Sequence, residues 1–275
     1  QVEAVKPDVL YLSEPITFDS AFIRSLSWKP RLVLGWRAAN VPAGTDWSEF
    51  DVMLSSLAAM RETALRFGAR AAEHFYPGYP EWINGKLSDA RSEYDVAFTG
   101  MWTLDQHPGR NRYLQEVAKA ALDPEQSFTL GYYLSGQVST ITPEVARFNL
   151  GGRFGISMHR ALRSGKIVLD ARGILETRDG SGKTVDLARR ETANMRIFEA
   201  TGAGSFLLTE HFDNLPDYFI PGVEVETFRN GKELVEKIRY YLAHPETREA
   251  IARRGQERCL REYGIGARAA ALDTI

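Results

Sequence analysis

"ANMRIFEATGAGSFLLTE", Ala193 to Glu210, changes character along its length. It opens polar, becomes an apolar helical face, passes through Gly202 and Gly204, and closes on the apolar run of Phe206 to Leu208. That succession reads as a helix turned tightly by glycine into a buried strand. A plain core helix needs no Asn194, Arg196 and Glu199 around its first turns, so these polar residues ask for a chemical reason.

The alternation extends upstream. "GISMHRALRSG" (155–165) reads as a helix and "KIVLD" (166–170) as a strand. "YDVAFTG" (94–100) is a strand ending in glycine, "RNRYLQEVAKAAL" (110–122) a helix and "SFTLGYY" (127–133) a strand. Downstream, "VEVETF" (223–228) reads as a strand, and two helices, 231–244 and 245–264, close the chain. Pro245 fits a first-turn position. The N-terminal part repeats the theme. "DVLYL" (8–12), "RLVLGW" (31–36), "DVMLSS" (51–56) and "ARAAEHF" (69–75) read as buried strands, with helices at 18–28 and 57–68. Runs of about five or six apolar residues, bounded by turn or helix signals, are the mark of a parallel sheet.

The polar stretch "GKLSDARSE" (85–93) reads as a linker. The expected fold class is therefore α/β, with two doubly wound Rossmann-like domains facing a cleft, at 1–88 and 89–275. The first is short for such a domain. Its opening strand and glycine loop are expected to lie outside this sequence.

Composition sets limits. The 275 residues are 44% apolar and 25% charged, with a net charge of −2. No global field attracts nucleic acid or acidic membranes. Cys259 is the single cysteine, which excludes an internal disulfide and a cysteine zinc site. No apolar run approaches the roughly 20 residues of a membrane span, and no secretory leader is read at Gln1. A cytoplasmic protein is expected, with no integral membrane segment, no nucleic-acid partner and no metal site. "DGSGKT" (179–184) imitates a phosphate loop, but Thr177 stands where its first glycine is required. It reads as an exposed loop.

In open α/β sheets ligands bind at the carboxyl ends of strands, where helix N-termini favour diphosphates. Asn194 and Met195 lie in the first turn of such a helix, and Arg196 adds a cation. A carboxylate at Glu199 is placed to accept two hydrogen bonds from a ribose diol. Glu191 precedes Glu199 by eight residues. The spacing means little by itself, because Glu73/Glu81 and Glu249/Glu257 share it. Glu199 also reads as an ordinary salt-bridged carboxylate, Trp102 as core, and His107 and Arg110 as capping-region polar groups.

Context separates these readings. "NMRIFEATGAGSFLLTE", "GVEVETF" and "ELVEKIRYYLAHPETREAIARRGQERCLREY" resemble the C-terminal domain of group 1 glycosyltransferases, above all their CgeB-like, spore-maturation-type branch. "YDVAFTGMWTLDQHPGRNRYLQEVA", "GISMHRALRSGKIVLD" and the N-terminal "PDVLYLSEP", "LVLGWRAANVP" and "DVMLSS" extend the resemblance over nearly the whole chain. It implies the bacterial, soluble GT-B architecture. A nucleotide-diphosphate sugar, UDP- or GDP-linked, serves as donor without a further cofactor or metal. By resemblance Glu199 binds the donor ribose, Asn194, Met195 and Arg196 line the diphosphate side, and Glu191 is a further donor-binding candidate. Phe154, Gly155 and Ile156 meet the base. Trp102, His107 and Arg110 face the phosphates or the sugar. Asp170, in the loop where relatives usually carry Asn, is also a donor-binding candidate. Arg110 and Arg196 are the expected catalytic cations. Glu14 and His74, at N-terminal strand ends, are the candidates for a base acting on a glycan, protein or small-molecule acceptor. Arg37 is a candidate for holding an anionic group. The expected chemistry is metal-independent, retaining sugar transfer. A non-catalytic sugar-nucleotide-binding or structural protein and a sugar-nucleotide epimerase are the rival readings.

Overall fold

The computed structural model describes residues 2–76, 78–125, 127–178, 181–189, 191–192 and 194–275. The chain forms two compact units. One comprises Gln1–Pro77, Ile174–Asn194 and Leu272–Ile275; the other comprises Gly78–Gly173 and Met195–Ala271.

Along the chain come α1 (Val2–Val5), β1 (Val9–Leu12), α2 (Ser20–Ser25), β2 (Leu32–Trp36), β3 (Val52–Ser55), α3 (Met60–Arg66) and β4 (Ala71–His74). The four strands form a parallel sheet in the order β1-β2-β3-β4. Asp19 starts α2 by accepting from the backbone N–H groups of Ala21 and Phe22 at 2.9 and 3.2 Å, which satisfies donors the helix cannot use itself. Gly68 follows α3 at φ +99°, a conformation that favours glycine.

The second unit holds β5 (Tyr94–Trp102), α4 (Pro108–Ala121), β6 (Leu130–Gly136), α5 (Pro143–Ala146), α6 (Ile156–Arg163) and β7 (Gly165–Asp170). The chain then supplies a small antiparallel hairpin to the first unit, β8 (Glu176–Arg178) and β9 (Thr184–Asp186). It returns as α7 (Met195–Gly202), β10 (Phe206–Glu210), α8 (Leu215–Tyr218), β11 (Glu226–Phe228), α9 (Gly231–Ala243), α10 (Pro245–Glu262) and α11 (Ile265–Leu272). The second sheet is parallel throughout, in the order β6-β5-β7-β10-β11. The four residues Phe206 to Thr209 of β10 are all buried, as a parallel strand covered on both faces requires.

The boundary between units differs from the expected 88/89. Tyr79, 1% exposed, belongs to the second unit: its N–H donates to the Tyr263 carbonyl at 2.7 Å and its carbonyl accepts from Ile265 at 3.1 Å. A Cβ on Gly202 would lie 2.3 Å from the Tyr79 ring, so that glycine permits the ring's approach. The stretch after residue 77 is thus tied into its own unit rather than serving as a free linker. The long segment after β7 is no loose loop either. Leu187 and Ala188 are buried in the first unit's core with Trp47, Phe50 and Met60. The Leu187 carbonyl accepts from Ala59 at 2.9 Å, and Thr177 Oγ1 donates to the Val41 carbonyl at 2.6 Å. Ser181 to Lys183 of the "DGSGKT" stretch are exposed before β9. Asp179 and Gly180 lie outside the described residues.

Candidate functional site

The second sheet reverses its order between β5 and β7. From β5 the chain runs one way to β6 and the other way to β7, β10 and β11. At such a reversal the connections leave in opposite directions and open a crevice outside the carboxyl ends of the strands. Those ends carry Gly100 to Trp102, Asp170 and Glu210, and α7 begins after the connection from β7.

Arg196 and Glu199 lie on the first turns of α7. Arg196 Nη1 stands 2.8 Å from Glu199 Oε2, with the two side chains only 16% and 18% exposed. Arg196 Nη2 donates to the Thr99 carbonyl of β5 at 3.2 Å, and Nη1 contacts the Met158 sulfur of α6 at 3.4 Å. These contacts fix the guanidinium beside the end of β5. Burial pushes the Glu199 carboxyl up; Arg196 opposes this and the Asp170 charge reinforces it.

Arg110, in the first turn of α4, comes to the same place. It donates to the Met101 carbonyl and stands over the Phe98 ring, 5.4 Å from its centroid. Its Nε is buried without a hydrogen-bond partner. Burial lowers its pKa to about 10; Asp170 opposes that shift and Arg196 adds to it. Asp170, 4% exposed, accepts from Thr209 Oγ1 at 2.9 Å. The Arg196 guanidinium thus lies close enough to Arg110 to raise the cost of charging it. An anion placed between them would relieve that repulsion and satisfy the idle N–H.

The loop between β5 and α4 is built around His107. Its Nδ1 lies 2.6 Å from Thr103 Oγ1, and Asn111 Nδ2 donates to the Thr103 carbonyl at 2.8 Å. Burial, then the Arg110 charge, hold the imidazole down at about 4, so the ring is neutral at physiological pH. A Cβ on Gly173 would meet the ring at 2.4 Å, which reserves that position for glycine.

Other expected site residues fall differently. Trp102 is core: β5 runs on through it, it is 1% exposed, and its Nε1 donates to Thr140 Oγ1 at 3.1 Å. The expected ligand-facing role does not fit that burial. Phe154 is 74% exposed, Gly155 takes φ +57°, and Ile156 begins α6; Ser157 Oγ donates to the Phe154 carbonyl at 2.7 Å. Met195 starts α7 half-buried. Glu191 and Asn194 are half-buried in the segment grouped with the first unit.

In that unit Glu14 and Arg37 meet, Nη1 to Oε1 at 3.2 Å. The Thr17 N–H, with Arg37 adding a smaller attraction, holds the Glu14 carboxyl below its ordinary range. Glu14 is thus a committed acceptor and a weak base. Arg37 donates through Nε and Nη2 to the Asn40 carbonyl. It caps its own turn rather than offering a free fork to an anionic group. His74 is exposed at the end of β4, its ring edge-on to Tyr76 at 4.5 Å.

Sequence reasoning did not single out Thr209, Thr99, Phe98 and Met158, which anchor the charged groups, or Glu210, which accepts from the Tyr113 hydroxyl at 3.3 Å. The signal for Thr209 is its register opposite Asp170, which exists only once the strand order is known.

A family model described as glycosyl transferase-like matches residues 137–274. The chain belongs to that family. No curated protein matches it. Solved structures match over almost its full length. A glycosyltransferase from Rickettsia africae ESF-5 is 9% identical, covering 99% of this chain and 77% of that one, with a TM-score of 0.64. Anabaena Alr3699/HepE in complex with UDP and glucose is 12% identical, covering 98% and 78%, with a TM-score of 0.61. Sucrose-phosphate synthase from Thermosynechococcus elongatus is 12% identical, covering 97% and 72%, with a TM-score of 0.57. At these identities the likeness is one of fold, and that fold is GT-B.

Proposed function

We propose that this protein moves a sugar from a nucleoside-diphosphate sugar to an acceptor. The observation that carries the reading is the pair Arg110 and Arg196, drawn from two helices to the one strand-order reversal of the second sheet. The family and the UDP held by the similar Anabaena protein support a uridine donor, with GDP as the alternative base. As the bond to the anomeric carbon breaks, negative charge grows on the diphosphate. Preorganised cations and the N–H groups at the start of α7 stabilise that charge without reorganising at the moment of reaction. Glu199, released from Arg196 as the diphosphate takes the guanidinium, accepts the ribose hydroxyls. In this reading neutral His107 donates to a phosphate or sugar oxygen. Asp170, anchored by Thr209, holds the field at Arg110.

The finer reading is metal-independent transfer with retention, in the CgeB-like branch, by a cytoplasmic protein acting on a glycan, protein or small-molecule acceptor. It draws on the residues that carry the resemblance. No helix among the described residues is long and apolar enough to cross a membrane. Among them no three His, Cys, Asp or Glu side chains gather as a metal-binding group.

Calorimetric titration with UDP, GDP, dTDP and ADP tests the donor site. One nucleotide is expected to bind, and Glu199→Ala to weaken it at least about tenfold. Binding of none would overturn the reading. Product analysis with donor alone then separates hydrolysis or transfer from epimerisation.

A further inference from the structure

The second sheet carries a cavity at the opposite end of its strands. Its volume is about 240 Å³, and its lining includes Ser92, Arg163, Lys166, Ser205, Arg248 and Glu249. It opens beside the amino ends of β7 and β10, at Gly165 and Phe206. One strand length of β7, roughly 20 Å at about 3.3 Å per residue, separates the two ends of the sheet.

Three cations and one carboxylate, Glu249, line this cavity, and that carboxylate is poorly placed. Arg248 is buried, 7% exposed, yet its single ion partner among the described residues is Glu249, 3.6 Å away with a side chain 75% exposed. A pair so open to water gains little, whereas a buried guanidinium calls for a close counter-charge. Arg248 Nη1 donates to the Tyr241 carbonyl at 2.8 Å, and Arg163 Nη1 donates to the Gly204 carbonyl at 2.7 Å. Each contact uses part of a guanidinium that has several further N–H donors. Lys166 meets Asp95 at 2.8 Å and is 46% exposed. Among the described residues Ser205 Oγ has a single long contact, 3.5 Å, to the Leu162 carbonyl. The volume is about eight times a water's share of liquid, enough for a phosphoryl group and a short ester.

We infer that this cavity is a second anion site, which takes a phosphate or the phosphomonoester head of a small molecule. Arg248 is its buried cation, Arg163 and Lys166 flank it, and the serine hydroxyls supply neutral donors. The inference does not rest on the donor reading.

Inorganic phosphate and glycerol 3-phosphate, titrated calorimetrically into the full chain, test it. The same titrations into Arg196→Gln, and into wild type with excess UDP, remove the first crevice from the measurement. Binding is expected to survive in Arg196→Gln and to weaken at least about tenfold in Lys166→Glu and in Arg248→Gln. Lys166 is half-exposed, so its variant keeps the test open if Arg248→Gln unfolds. Glycerol 3-phosphate binding as tightly as phosphate supports a phosphomonoester; phosphate binding alone supports the free ion. Absence of binding in Arg196→Gln, or binding indifferent to Lys166→Glu, overturns the inference.

Discussion

The two parallel sheets of this chain are made of similar strands and differ in order. The first runs β1-β2-β3-β4 without reversal. Its carboxyl ends are closed on themselves: Glu14 takes Thr17 and Arg37, and Arg37 takes Asn40. The second reverses between β5 and β7, and its charged groups, Arg110, Arg196, Asp170 and Glu199, are drawn inward with an N–H left over. Strand order, more than strand composition, decides which sheet has chemical capacity to spare.

The contrast can be broken at Arg196. Arg196→Ala should lower donor turnover by about 10² to 10³, the cost of removing one preorganised charge-stabilising donor. A rate assay with the bound nucleotide's sugar checks this; a loss below about tenfold would move the chemistry elsewhere. The first sheet answers to packing instead. Leu187→Ala should cost about 2–5 kcal/mol in denaturant unfolding, as expected for a fully buried leucine. A negligible cost would detach the 174–194 segment from that core.

His107 sharpens the comparison through pH. Its folded pKa lies below the ordinary 6.5, at about 4. The neutral ring's contribution to stability is therefore present above about 6.5 and is lost as pH falls toward about 4. NMR titration of the ring should show this low pKa, and His107→Gln should flatten that part of the acid limb. The smallest effect is expected at Arg37. Arg37→Ala should leave nucleotide affinity within about twofold and cost about 1 kcal/mol of stability, on the scale of a partly exposed ion pair. A tenfold loss of affinity would give the first sheet a part in donor binding.

Much of this arrangement was legible in the chain itself. Short apolar runs between helical patterns identified the strands at 8–12, 31–36, 94–100 and 205–210, because burial on both faces leaves a continuous apolar signal. The helix carrying Arg196 and Glu199 was legible because two polar groups interrupt an apolar face. The hairpin β8–β9 was not. Its contribution to a core rests on Leu175, Leu187 and Ala188, scattered among polar residues with no period. Trp102 misled for a related reason: Gly100 reads as a strand end, but β5 continues two residues past it. The partners that fix the charges, such as Thr209 on Asp170, depend on which strands become neighbours. Local sequence does not carry that information.

The first unit's dependence on Leu187 also has a consequence in time. Residues 1–77 leave the ribosome well ahead of Leu187, which follows 110 residues after position 77. At about 5–20 residues per second that delay is roughly 5 to 20 seconds. Throughout it, Trp47, Phe50 and Met60 lack a wall of their core while the other unit's first strands are being made. The nascent chain therefore passes through an interval in which the β1–β4 sheet is apolar and incomplete. Chaperone capture, if measured on stalled chains, should fall sharply once the segment through Asn194 has cleared the exit tunnel.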